Sequence, residues 1–359
     1  MSRIEQASIV KLQPARWLAT FSRYLLYLIG LFVLVSCYME YRRVGWLWSA
    51  WDLMYISGLV AFIIALYFAR TIPFRMSQTL LRLTNRGAFV LPPQSLDSFR
   101  SRLNSRAQLF AVVSAIFVGL ALLVAFLFAY REDIIQKLTL TILETCLGLV
   151  AGYYIGQMIG YGTMGLLAKS EKVPIITRPG HIDRAAGLKP IGDFYFFQAM
   201  VVAIPCIFLA VWWFIIPFLT PWYSHWRNPY LGLLIIALTF EILSFIVPMW
   251  VFHLIMREQK IENLAKADDL SQKIDDLETK ILAASDTQPN KELQQQLEFY
   301  RAKYWEIEQM PTWPVDINTR RRFTINNLLL FMPFILDLIS ASKSWKDFLD
   351  TLVTFLTKD

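Results

Sequence analysis

Six stretches of this chain are too long and too apolar to be the helices of an ordinary water-facing core. They cover about residues 24–41, 53–69, 107–130, 138–168, 194–218 and 229–256. A bilayer core about 30 Å thick takes roughly 20 helical residues to cross. Composition agrees with that reading. Of the 359 residues, 56% are hydrophobic and only 18% charged, where a soluble protein usually carries about a quarter. The expected fold is therefore all-α: a polytopic membrane protein with six transmembrane helices. Polar residues lead into the first stretch and no small-x-small cleavage pattern follows it, so it reads as a permanent anchor.

Lys and Arg set the expected orientation, because positive residues stay on the cytoplasmic side during insertion. Arg3, Lys11, Arg16 and Arg23 precede the first stretch, and Arg70, Arg75, Arg82, Arg86, Arg100, Arg102 and Arg106 lie between the second and third. The 169–193 loop is again basic. Six spans put all of these on one face, with both termini cytoplasmic, and the lack of any Asn-x-Ser/Thr acceptor suits a bacterial cytoplasmic (inner) membrane. Trp46, Trp48 and Trp51 in the first outer loop, and Trp222, Tyr223 and Trp226 in the last, suit the headgroup level. The expected organisation is a cytoplasmic segment over 1–23, a six-helix transmembrane domain over 24–256, a coiled-coil-like cytoplasmic hairpin over 257–310, and an amphipathic C-terminal region over 311–359. Membrane lipid is the first partner this implies. Positive-inside bias already accounts for the arginines, so nucleic acid is not expected.

Within "LETCLGLVAGYYIGQMIGYGTMG", Gly148, Gly152, Gly156 and Gly160 stand four residues apart. Helices in lipid gain little from hydrophobic sorting, and small residues let their backbones approach. This ladder reads as a packing ridge, against the third span of the same chain or against another subunit of a homo-oligomer. The third span offers matching small residues at Ala111, Ala115 and Gly119, and at Ala121, Ala125 and Ala129.

Two carboxylates, Glu144 and Glu241, fall well inside spans with no Lys or Arg at similar depth. An ionised carboxylate at the bilayer centre costs about 2.5–3.5 kcal/mol on insertion scales. Each is expected to be neutral, hydrogen-bonded within the bundle, or in contact with water or a cation. Counted from the outer helix ends they lie about 10 and 18 Å deep, a stagger suited to successive stations of an ion or proton path. Gln157 adds a polar group to the fourth span. Pro205 and Pro248 remove backbone donors in the fifth and sixth spans and are candidate hinges.

Beyond the last span, Leu270, Ile274, Leu277 and Ile281 keep a coiled-coil spacing, and Leu293, Leu297, Tyr300, Tyr304 and Ile307 form a second seam after "SDTQPN". Two short seams around a turn suit an antiparallel hairpin, which is available to a cytoplasmic protein partner. The C-terminal region reads as lying on the inner leaflet or against the bundle, with Arg320, Arg321 and Arg322 near lipid phosphates.

The loop "RPGHIDRAAGLKPIG", residues 178–192, clusters His181, Asp183 and Arg184. It resembles the His-Pro-Asp-x-x-Gly-Gly-Leu segment of some bacterial multi-pass membrane proteins, with Ile182 in place of the proline and Ala186 in place of the first glycine. That resemblance implies no activity. Asp193 is expected to cap the fifth span. No phosphate loop, nucleophile elbow or zinc-binding helix is present, so no metal, cofactor or enzymatic role is expected. Two functions remain: a homo-oligomeric channel or transporter for cations or protons with Glu241 on the path, or a non-conducting sensor or effector scaffold that binds partners through its hairpin.

Overall fold

The computed structural model describes residues 50–129, 134–218, 227–284 and 291–340, together with Tyr24, Tyr27, Gly30 and Tyr38. Apart from those four residues, the first apolar stretch lies outside the described residues, as do the aromatic residues at 46–48 and 222–226. Nine α-helices follow in order among those described. They are α1 (Ala50–Ala69), α2 (Ile72–Asn85), α3 (Pro93–Ala129), α4 (Ile134–Gly162), α5 (Met164–Ser170), α6 (Lys189–Ile215), α7 (Arg227–Ala284), α8 (Lys291–Glu308) and α9 (Ile317–Ser340). The described part contains no β-strand, only a single bridge between Phe89 and Ile175. Among the described residues, four stretches are long and apolar enough to cross a membrane: Ile56–Asn85, Pro93–Ala125, Lys189–Phe218 and Arg227–Leu282. The described part is thus all-helical, with helices of the kind a membrane-embedded protein carries.

α3 and α4 make the closest helix pair, and the glycines show why. A Cβ placed on Gly152 would sit 2.6 Å from the Ser114 carbonyl oxygen and 2.8 Å from Ala115 Cα. One on Gly156 would meet the Phe110 carbonyl and Ala111 Cα, and one on Gly160 would meet the backbone of Ala107. These are backbone atoms, which cannot swing aside. Gly148, at the other end, faces the Leu122 side chain, while Gly119 of α3 faces Leu149 of α4. The ladder on α4 therefore lies on the stripe Ala107–Ala111–Ala115 of the same chain. α4 then ends at Gly162, and α5 begins two residues later at Met164.

α6 is the hub of the other helices. Its Tyr195, fully buried, donates from its hydroxyl to the Tyr161 carbonyl of α4 at 2.9 Å. The Tyr161 hydroxyl in turn donates to Asn104 of α3 at 3.0 Å. Trp212 donates to Ser57 of α1 at 2.8 Å. α7 packs along α6 and continues as one helix of 58 residues through Pro248, about 87 Å at 1.5 Å per residue. α8 runs back along it: Ala267 and Leu270 are buried with Ile307, flanked by Tyr300 and Tyr304, and Arg301 pairs with Glu278 at 2.6 Å. The last described helix, α9, packs along α6 and touches α7 (Phe323 stacks on Phe245 with ring centroids 4.2 Å apart).

The α3–α4 contact gives a direct expectation. Gly156→Val drives a branched side chain into the α3 backbone and should destabilise the protein by about 1–3 kcal/mol, the usual cost of overpacking. Gly232→Ala, where a Cβ meets nothing within 4 Å, should leave stability unchanged or slightly raised. Thermal unfolding of both variants in detergent checks the pair.

Candidate functional site

Glu241 sits on α7 midway along the part that packs against α6, and none of it reaches the surface. Its Oε1 accepts from the Asn326 amide of α9 at 3.3 Å. The Cys206 thiol of α6, also fully buried, faces the same carboxyl. That thiol stands short of ordinary hydrogen-bond geometry, which leaves Oε2 without a conventional partner. Three helices thus enclose one acid, with one long amide hydrogen bond, a thiol nearby and no Lys or Arg hydrogen-bonded to it. Its backbone carbonyl accepts from Ser244 Oγ at 2.7 Å, which ties the next turn of α7 to the same place. Pro205 precedes Cys206, so the carbonyl four residues back on α6 loses its intrahelical donor beside this cluster. α6 and α7 each continue through their proline as a single helix.

Other polar groups share the interior. Gln157, 5% exposed, donates to the Tyr153 hydroxyl one turn back at 3.0 Å, and its Oε1 has no partner. That bond stays within α4, so nothing joins Gln157 to Glu241. Gln198 of α6 is wholly buried with both amide atoms unpartnered. Glu144 falls on α4, but its side chain is outside the described residues.

The 171–188 loop is built as a separate polar cluster. Residues 88–90 pair with 174–176 through the Ile176 N–H to the Ala88 carbonyl, 2.9 Å, and the Val90 N–H to the Pro174 carbonyl, 3.1 Å. Gln259 of α7 clamps the far edge. Its Oε1 accepts from the Thr177 N–H at 2.9 Å, and its Nε2 donates to the Ile175 carbonyl. Asp183 is the organiser. Its Oδ1 accepts from the backbone of Ala185 and Gly187, both at 3.0 Å, and lies 2.8 Å from His181 Nδ1. Its Oδ2 takes Arg86 of the loop after α2 at 2.9 Å. Burial alone would raise the pKa of this carboxyl, but the two backbone donors and His181 outweigh it and hold it below the ordinary carboxylate range. The third residue of the sequence cluster, Arg184, adopts φ +53°.

Ala186 and Gly187 both have positive φ, +53° and +90°. Glycine enters that region without a Cβ clash, whereas alanine is strained there. Asp193 does not cap α6. The cap position is Leu188, which provides no side-chain bond, and Asp193 lies too far into the helix, accepting a long 3.5 Å contact from Thr319 of α9. The carboxylate that does cap a helix here is Asp316, at the start of α9. Its Oδ1 accepts the Thr319 N–H at 2.9 Å, and its Oδ2 pairs with Lys189 at 2.8 Å. Burial opposes its charge, but Lys189 and Thr319 prevail and bring its pKa down to about 2.

Arginines of the Arg70–Arg106 segment are likewise committed to the protein. Arg102 forks onto Glu171, Arg100 is buried against Ser77 at 3.0 Å, and Arg75 lies 3.8 Å over the Phe197 ring. His253 is held by the Thr312 carbonyl at 2.8 Å and stacks on Trp313. Among the described residues no three His, Cys, Asp or Glu side chains come together as a metal site. The all-helical fold and its long apolar helices are compatible with an integral membrane protein, and they hold an enclosed acid and a stitched loop. No family model, curated protein or solved structure matches the chain.

The donors around Glu241 were the part sequence reasoning missed. "TINNLL" puts two amides, Asn326 and Asn327, in the middle of an apolar stretch, and that was the available signal. Cys206 and Arg86 carried none, since only tertiary packing selects them.

Two expectations concern the loop. Asp183 and Asp316 both titrate lower when folded than unfolded. Their stabilisation is therefore complete above the unfolded carboxylate value of about 4 and fades as pH drops through the folded values. Pepsin should nick the 171–188 loop increasingly as pH falls from 4.5 towards 2, and Asp183→Asn should be nicked at every pH in that range. Ala186→Gly should stabilise the protein by about 0.5–1 kcal/mol, because relief of the left-handed strain outweighs the added chain entropy. Thermal unfolding reads this shift.

Proposed function

We propose that the chain is an integral protein of a bacterial cytoplasmic membrane that handles protons or small cations through Glu241, acting as a homo-oligomer. In this reading six apolar stretches span the bilayer. The arginine-rich segments, the 171–188 loop and the α7–α8 hairpin then face the cytoplasm, and no enzymatic step is involved. The observation that carries it is the enclosure of Glu241 among three helices, with no Lys or Arg bonded to it, in an apolar stretch of membrane length. A charge there is costly to hold, so the group works by taking up and giving back a proton or cation when its surroundings open. Asn326 makes that site sensitive to the position of α9. Gln157 and Glu144 would lie on a separate part of the route.

Purified protein in liposomes tests this directly. A proton or cation flux should appear under a voltage or pH step, fall at least about tenfold in Glu241→Gln, and persist in Gly232→Ala. A tenfold loss corresponds to about 1.4 kcal/mol at the limiting barrier. Preparations that stay silent under voltage, pH and tension steps, or a flux indifferent to Glu241→Gln, remove the proposal.

The continuity of α7 favours a second reading, in which the protein is a non-conducting sensor or effector. One unbroken helix joins the Glu241 region to the hairpin, so a tilt near the membrane would displace its far end. Glu241→Gln would then be harmless. Polar substitution at Leu270 and Leu277, both buried, would abolish capture of a cytoplasmic partner.

A further inference from the structure

We propose that α9 is a membrane-crossing helix whose outer face is covered by lipid acyl chains, so that the chain reaches Ser340 on the opposite side from the 171–188 loop. This does not rest on any role for Glu241.

The contacts of α9 form a ladder of rising height. At its base, Asp316 pairs with Lys189, where α6 begins. Thr319 is next, against Asp193. Phe323 then stacks on Phe245, and Asn326 bonds Glu241. Near the top the Phe334 ring lies 4.6 Å from that of Trp213, two residues before α6 ends. Partners on α6 climb from 189 to 213 as α9 climbs from 316 to 334, while those on α7 descend from 245 to 241. α9 is therefore parallel to α6 and antiparallel to α7. A helix lying on the leaflet would cross α6 at one level only. The 24 residues of α9 reach about 36 Å at 1.5 Å per residue, against a hydrocarbon core of about 30 Å.

Polarity is sorted along α9, not around it. Arg320, Arg321 and Arg322 are exposed together at the base, level with the start of α6, where phosphates would meet them. From Ile325 to Ile335 every exposed side chain is apolar: Ile325, Leu328, Leu329, Phe331, Met332 and Ile335. Asn326 and Asn327 are only half exposed, Asn326 turned to Glu241 and Asn327 bonded to the Phe323 carbonyl. An interfacial helix needs a polar face along its whole length, and between Ile325 and Ile335 α9 exposes none. α6 and α7 likewise expose apolar side chains, Ile207 and Val211 on one and Leu243 and Val247 on the other. Acyl chains fit this surface, and the arginines fit the anionic level just below it. One more crossing turns the even number of passes expected from sequence into an odd one.

The test uses full-length chains with the three native cysteines replaced and single cysteines introduced as Ile317→Cys, Lys172→Cys or Ser340→Cys. Membrane vesicles are treated with a membrane-impermeant maleimide from either side. Ile317→Cys and Lys172→Cys should label from one face and Ser340→Cys from the other. Labelling of Ser340→Cys from the Ile317 side, or from neither, overturns the crossing. Nitroxides at Leu328→Cys and Met332→Cys give an independent reading. Lipid cover predicts high collision with oxygen and low collision with an aqueous nickel complex. Nickel access would place α9 in water, and access to neither reagent would place a second copy of the chain on it; either result overturns the proposal.

Discussion

Backbone-to-backbone contact between α3 and α4 is the constraint on which the other helices depend. In hydrocarbon the apolar side chains of two helices are as content with lipid as with each other, so close fit has to supply the association. Gly152, Gly156 and Gly160 allow that fit by letting α4 rest on the main chain of α3 at Ser114–Ala115, Phe110–Ala111 and Ala107. The pair then positions Tyr161, which holds Asn104 on one side and receives Tyr195 on the other. Through Tyr195 the fit fixes α6, and α6 carries α1, α7 and α9.

A second theme is the fastening of distant segments to α7. Its membrane half holds Glu241, enclosed by α6 and α9. Lower down, His253 binds the Thr312 carbonyl, Lys260 binds the carbonyls of Glu308 and Met310, and Gln259 clamps the 171–188 loop. Both the loop and the connection into α9 thus read the position of one rigid helix. Asp183 and Asp316 serve the same design from outside, each organising local backbone donors while taking a cation from another part of the chain.

Much of this was legible in the sequence, for a physical reason. Apolar runs of membrane length announce helices whatever their neighbours are, and the glycine interval announces a face. The acid at 241 was conspicuous because an unpaired carboxylate in such a run is rare. The donors around it were not legible: Cys206 and Asn326 lie 35 and 85 residues away in sequence, and only the approach of three helices selects them. Asp193 was misjudged on local grounds, since it stands near a helix start yet one turn too far in. The C-terminal region was ambiguous because Pro333 and Asp337 interrupt its apolar stretch, which weakens the signal of a crossing while leaving the helix intact.

The sequence by itself determined the solvent of this protein, the helical character of its segments and the small-residue face of α4. Each of these depends on residues close together along the chain, where hydropathy and side-chain size act alone. Tertiary structure decided that the glycine face meets α3 of the same chain, that α9 rises beside α6, and that Glu241 is enclosed by an amide and a thiol. Those outcomes depend on which surfaces fit at van der Waals distance, and in a medium that treats all apolar faces alike, fit is a property of the assembled bundle.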